Sequence, residues 1–154
     1  MTAKVGGRKE FFMNEQITIT SGLKTYDLVN EKKELLGQIT FNPSDMNIVN
    51  RHQEVIKSLN ELKKEFSNKS ENKSTYEQIE ELDNIVYEKF DYLFGAKVSD
   101  VIFSIMGPFS VLESGQLFFE HVLNAISAVI EADANKKAKK ALSKIKKYTQ
   151  KYHN

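Results

Sequence analysis

From residue 46 to residue 154 the chain holds one proline, Pro108, and three glycines, Gly95, Gly107 and Gly115. Proline removes a backbone donor and clashes with the preceding turn, and glycine weakens a helix interior by about 1 kcal/mol relative to alanine. A stretch this long with so few breaks favours long helices. The apolar residues agree. Val49, Ile56, Leu59, Leu62 and Phe66 recur at helical spacing. So do Tyr76, Ile79, Leu82, Val86, Phe90, Leu93 and Phe94, and then Leu117, Phe118, Val122, Ala125, Ile126 and Val129. The expected fold is mainly α: a bundle of three to four helices with an N-terminal β-hairpin and a long C-terminal helix.

Local signals set the boundaries. Asn42-Pro43-Ser44-Asp45 stops an extended run, and Ser44 or Asp45 can cap a helix over about 45–66. Ser67–Ser74 has no apolar residue and reads as a solvated loop. A second helix spans about 75–94, with Gly95 placed to end it in a left-handed conformation. A short one covers about 99–106 and stops at Gly107-Pro108. Ser110 and Glu113 form a Ser-x-x-Glu capping box, which predicts a last helix over about 111–151 with Gly115 in its early turns. Upstream, Gln16–Thr20 alternates like a half-buried strand. Thr25–Val29 and Leu35–Phe41 flank the polar turn Asn30–Glu34 and predict a hairpin over about 25–41. A lone hairpin is marginal in water, so this one is expected to lie on the helices or on a neighbouring subunit. Core candidates are Val49, Ile56, Leu59, Leu82, Val86, Phe90, Leu93, Phe103, Phe118, Val122 and Ile126.

The 154 residues fit one domain, here 16–154 behind a flexible leader of 1–15. Gly6-Gly7-Arg8-Lys9-Glu10 is what a purine-rich ribosome-binding stretch encodes when read in frame, which makes Met13 a candidate natural start. Residues 1–12 lack the apolar stretch of a secretory signal, and the apolar runs near Val98–Met106 and Val122–Ile130 are far short of the roughly 20 residues that cross a bilayer. There is no cysteine, so disulfides, thiolate nucleophiles and Cys-based zinc sites are excluded. A cytoplasmic protein is the expectation.

The residues offer little chemistry. His52 and His121 lie on predicted helices outside any His-x-x-x-His or Glu-x-x-His pattern, and His153 is in the terminal fringe. Glu77, Glu80, Glu81 and Asp83 sit on the solvent side of an amphipathic helix. Gly6-Gly7 precedes any predicted strand, and Ser104 and Ser114 lack a Gly-x-Ser-x-Gly context. No catalytic, cofactor-binding or metal-binding residue is expected, and the chain reads as a non-enzyme.

Charge is the sharper signal. The net charge is +1, but Lys136, Lys137, Lys139, Lys140, Lys144, Lys146, Lys147 and Lys151 all follow Asp133, with no acidic residue among them. The 22 basic residues less these eight leave 14 against 21 acidic ones, so residues 1–133 carry about −7. Through the lysines runs an apolar line of Ala138, Ala141, Leu142, Ile145, Tyr148 and Tyr152. A lysine helix can neutralise phosphates, but this segment has no arginine to read bases, and its apolar line asks for a protein surface. Leu142, Ile145, Tyr148 and Tyr152 are the expected protein-binding residues, with homo-oligomerisation or client binding as the outcome. Nucleic-acid binding through the basic face is the alternative. A membrane-surface role is disfavoured by a line rich in Ala and Tyr.

The quoted segments also resemble a family. A helix ending in Phe90–Gly95 (FDYLFG), the short Val98–Gly107 (VSDVIFSIMG), the amphipathic Gln116–Glu131 (QLFFEHVLNAISAVIE) and the lysine-rich Lys136–Tyr152 follow in order, preceded by Ile39–Asp45 (ITFNPSD). Over about residues 24–152 this resembles the tail assembly chaperones and accessory tail proteins of Gram-positive bacteriophages and prophages. The resemblance implies a non-enzymatic protein of the bacterial host cytoplasm, without cofactor. It would keep the tape-measure protein soluble and help tail-tube subunits assemble around it.

Overall fold

The computed structural model describes residues 14–71 and 76–152. Two strands, β1 (Lys24–Val29) and β2 (Leu35–Phe41), precede four helices: α1 (Met46–Glu71), α2 (Tyr76–Phe94), α3 (Ser99–Ile105) and α4 (Phe118–Tyr152). The mainly helical fold, the hairpin and the long last helix are as the sequence predicts.

The strands pair antiparallel, from Lys24 opposite Phe41 to Leu28 opposite Gly37, with an irregularity at Leu28/Val29. Asn30 closes the five-residue loop: its Oδ1 accepts from the N–H groups of Lys32 and Glu34. The hairpin packs on its own chain. Ile39 and Phe41 are buried, and the Phe41 ring meets Tyr26 and Phe94, each at 5.0 Å between centroids. β2 lies against α3 so closely that a Cβ on Gly37 would sit 2.8 Å from Val101 Cγ1. Gln16–Thr20, expected as a strand, pairs with no strand among the described residues; Ile17 and Ile19 are exposed. An alternating pattern specifies a strand only when a partner edge and a surface to cover are supplied.

Asp45 is the cap of α1, its Oδ1 accepting from Asn47 N at 2.9 Å. α1 then runs through the expected loop as far as Glu71; the rest of that loop, 72–74, and residue 75 lie outside the described residues. None of residues 67–71 is Gly or Pro, and the weak competition of Ser67, Asn68 and Ser70 for the backbone is outweighed by the turns already formed. α2 ends as predicted. Gly95 has φ +65°, with Gly95 N bonded to Tyr92 O and Ala96 N to Asp91 O. This is the Schellman pattern that satisfies the last carbonyls. Asp91 then starts α3, accepting from Val98 N, Ser99 N and Ser99 Oγ.

The start of α4 departs from expectation by seven residues. Ser110–Leu117 is a tight looped connection, with Val111 bridged to Leu117, Leu112 N bonded to Gln116 O, and Gly115 at φ +91°. A positive φ places Gly115 in a turn that no helix interior can contain. Glu113 is exposed and caps nothing shown, whereas Glu120 reaches back to Leu117 N at 3.4 Å. That is the glutamate half of a capping box, one repeat further along.

The core is aromatic at its centre. Phe103 meets Phe90 edge-on at 5.0 Å and Phe118 at 6.1 Å, and Phe109 bridges Phe66 and Phe119. Leu59, Leu82, Val86, Phe90, Leu93, Phe103, Phe118 and Ile126 are buried as expected, but Val49, Ile56 and Val122 are only partly so. The fully buried lines are Ile48, His52, Val55, Leu59 and Leu62 on α1, and Phe119, Leu123, Ile126, Ile130 and Asp133 on α4. Each line carries one polar residue in core phase, and skipping it shifts an apolar reading to the neighbouring face.

Candidate protein-docking surface

Asp133 is the last residue at which α4 is buried. Its phase follows from Ile126 and Ile130, three to four residues apart on one face. Its carboxylate joins three elements. Oδ2 accepts a short hydrogen bond from Ser44 Oγ, ahead of α1. Oδ1 has Lys24 Nζ of β1 and Lys137 Nζ of α4 each at 3.5 Å, and no hydrogen bond. Lys137 Nζ in turn donates to Ser44 Oγ at 2.7 Å. The Ser44 bond holds the carboxyl below its ordinary value, against the desolvation of burial, with Lys137 and Lys24 assisting. A buried acid whose charge is favoured this way clamps the hairpin and the start of α1 to α4.

Past this clamp α4 leaves the body. Every residue from Ala134 to Gln150 whose side chain is described is exposed. Leu142 and Ile145 are 66% and 61% exposed. Helical rotation of about 100° per residue puts them on one line, flanked by Lys139 and Lys146 on one side and by Ala141 on the other, with Lys144 turned away from it. Lys136, Lys140 and Lys147 are exposed around the rest of the helix. Of the predicted set, then, the structure brings Leu142 and Ile145 together in water and diverts Lys137 to the clamp. The side chains of Tyr148, Lys151 and Tyr152 lie outside the described residues, as do His153, Gly6-Gly7, Met13 and all of the leader but Asn14 and Glu15.

No family model, curated protein or solved structure matches this chain.

The residues weighed for chemistry are dispersed. His52 Nε2 lies 2.6 Å from Ser127 Oγ, whose own proton goes to Leu123 O at 2.8 Å. The histidine nitrogen is therefore the donor, and burial lowers its pKa more than Glu131 raises it. His121 is exposed; Ser104 bonds to Val101 O; Ser114 accepts from Gln116 N. Glu77, Glu80 and Glu81 are exposed, and burial followed by Glu80 raises the neighbouring Asp83. Among the described residues no three His, Asp or Glu side chains are grouped to hold a metal, and no helix is long and apolar enough to cross a membrane.

Sequence reasoning missed Ser44, Lys24 and Asp133 as a unit. The local signal was an acid in core phase four residues before a lysine; the partners are about 90 and 110 residues away, at 44 and 24.

Proposed function

We propose that this protein is a non-enzymatic binding module that presents the end of α4 to a protein client, in the manner of a phage tail assembly chaperone. The observation that carries the reading is the pair Leu142 and Ile145, two large aliphatic side chains more than 60% exposed on a helix that has left its own core. A docked partner would remove that apolar area from water, at about 25 cal/mol per Å². The lysines around it steer an acidic client and keep the uncovered helix soluble. The resemblance of residues 24–152 to tail assembly chaperones names the client class: long helical tail proteins such as the tape-measure protein, met in the bacterial cytoplasm before tail assembly.

The test is co-expression of the tagged full chain with the tape-measure protein of its own gene neighbourhood, washed at moderate and at high salt. Capture that survives high salt and is lost in L142D/I145D supports the reading. Capture of nucleic acid alone, shed as salt rises, transfers the lysine helix to the alternative, a phosphate-binding accessory protein.

A further inference from the structure

The end of α4 has a counterpart on the body that its own chain does not place beneath it. α2 carries Glu77, Glu80, Glu81, Asp83, Glu88 and Asp91 against one lysine, Lys89. On its outward face Ile85 and Tyr92 are 37% and 48% exposed, seven residues apart and so in the same phase, with Glu81 and Glu88 alongside. α1 borders this face. Tyr92 OH donates to Glu54 at 2.7 Å, the Arg51 guanidinium lies 5.8 Å from the centre of the Tyr92 ring, and an open groove lies between the helices at Glu54, Val55, Ser58, Glu88, Lys89 and Tyr92. Glu61, two turns on from Glu54, is exposed on the same flank. The result is a strip on which four acids, Glu54, Glu61, Glu81 and Glu88, outnumber the two cations Arg51 and Lys89, with two apolar side chains along it.

We propose that the Leu142–Ile145 line of α4 docks on this α1–α2 strip of a second copy of the chain. Charge complementarity selects the occupant. The segment after Asp133 has eight lysines and no acid, so pairing two such segments with each other would set lysine against lysine. On the strip, Lys139 and Lys146 meet Glu61, Glu81 and Glu88 while Leu142 and Ile145 cover Ile85 and Tyr92. The chain's own α4 is held elsewhere. It packs on the α1 flank that carries His52 and Lys63, through Ser127 and Glu120, whereas α2 packs on the flank that carries Arg51 and Glu54. As one unbroken helix it cannot turn back. The inference rests on the reading of this helix end as a protein-docking face, and it makes a client compete with a second copy for that face.

The experiment is sedimentation equilibrium on the purified, nuclease-treated full chain with no client present, so that its outcome is independent of client capture. The wild type is expected to self-associate at about 0.05 M salt and to dissociate about tenfold more readily at about 0.5 M. E61K/E81K/E88K and K139E/K146E should each weaken association by about tenfold, and the two sets combined should restore it to within about threefold. All five positions are exposed, and circular dichroism is the check that each variant is folded. A wild type that stays monomeric throughout overturns the proposal. So does a folded combined variant that fails to recover. Client capture in the co-expression test would stand in any of these cases.

Discussion

His52 and Asp133 occupy equivalent places, each the polar member of an otherwise apolar line, yet they tie stability to pH in different windows. Burial holds His52 below its ordinary 6.5, so between the two values the unfolded chain takes up a proton that the folded chain refuses. Its contribution is complete above about pH 6.5 and is lost as pH falls through that window. The Tm should decline from pH 7.5 to 5.5, and H52Q should flatten the decline; an equally steep curve in the variant would assign the loss to other groups. Asp133 is held below 3.8, so its contribution persists until pH falls below that value and is lost only as the carboxylate takes a proton in the folded state. Replacing it with Ala removes the acceptor of Ser44 Oγ and the charge that Lys24 and Lys137 face, and should cost about 1–3 kcal/mol at neutral pH, measured by urea unfolding. Neither residue was legible as a core member. An amphipathic pattern counts apolar side chains, and a buried polar one is visible only when its partner is known.

Among the elements, the hairpin is the most closely fitted. Gly37 faces α3 with no room for a methyl group, because Val101 Cγ1 already lies where a Cβ would need to be. G37A should therefore destabilise the protein by about 1–3 kcal/mol, and G37A/V101A should recover much of that loss, since the clash needs both methyls. Additive losses in the double variant would place the cost in the strand backbone instead. The hairpin itself was readable, because its two alternating runs and polar turn are contiguous. The beginning of α4 was not. Ser110 and Glu113 have the spacing of a capping box, but the connection from α3 is closed by long-range bonds, Phe118 N to Ser110 O and Phe119 N to Pro108 O, which keep Gly115 in a turn. The extension of α1 to Glu71 is the converse: a polar run continues a helix that its preceding turns have already nucleated.

At the level of the molecule, the body and the end of α4 are separable. Truncation after Lys137 preserves the clamp and removes only residues that are exposed where described, so the Tm should change by no more than a few degrees. The same truncation should abolish capture of the client and self-association. A collapse of the Tm would mean that the segment stabilises the body. The sequence made this division visible through charge alone, as an acidic body and a lysine-only end. It also named the apolar pair Leu142 and Ile145 that the body leaves uncovered, but not Asp133 as the point where α4 leaves the body, because that depends on where α4 meets the hairpin.

The clamp at Asp133 also fixes the direction in which everything beyond it points. One extra alanine inserted after Lys137 would turn the Leu142–Ile145 line by about 100° and advance it by about 1.5 Å, whereas seven would restore its heading to within about 20° while moving it outward by about 10 Å. α4 thus works as a keyed shaft, with the hairpin and Ser44 as the key, and a partner on its far end is held at a set angle as well as a set distance.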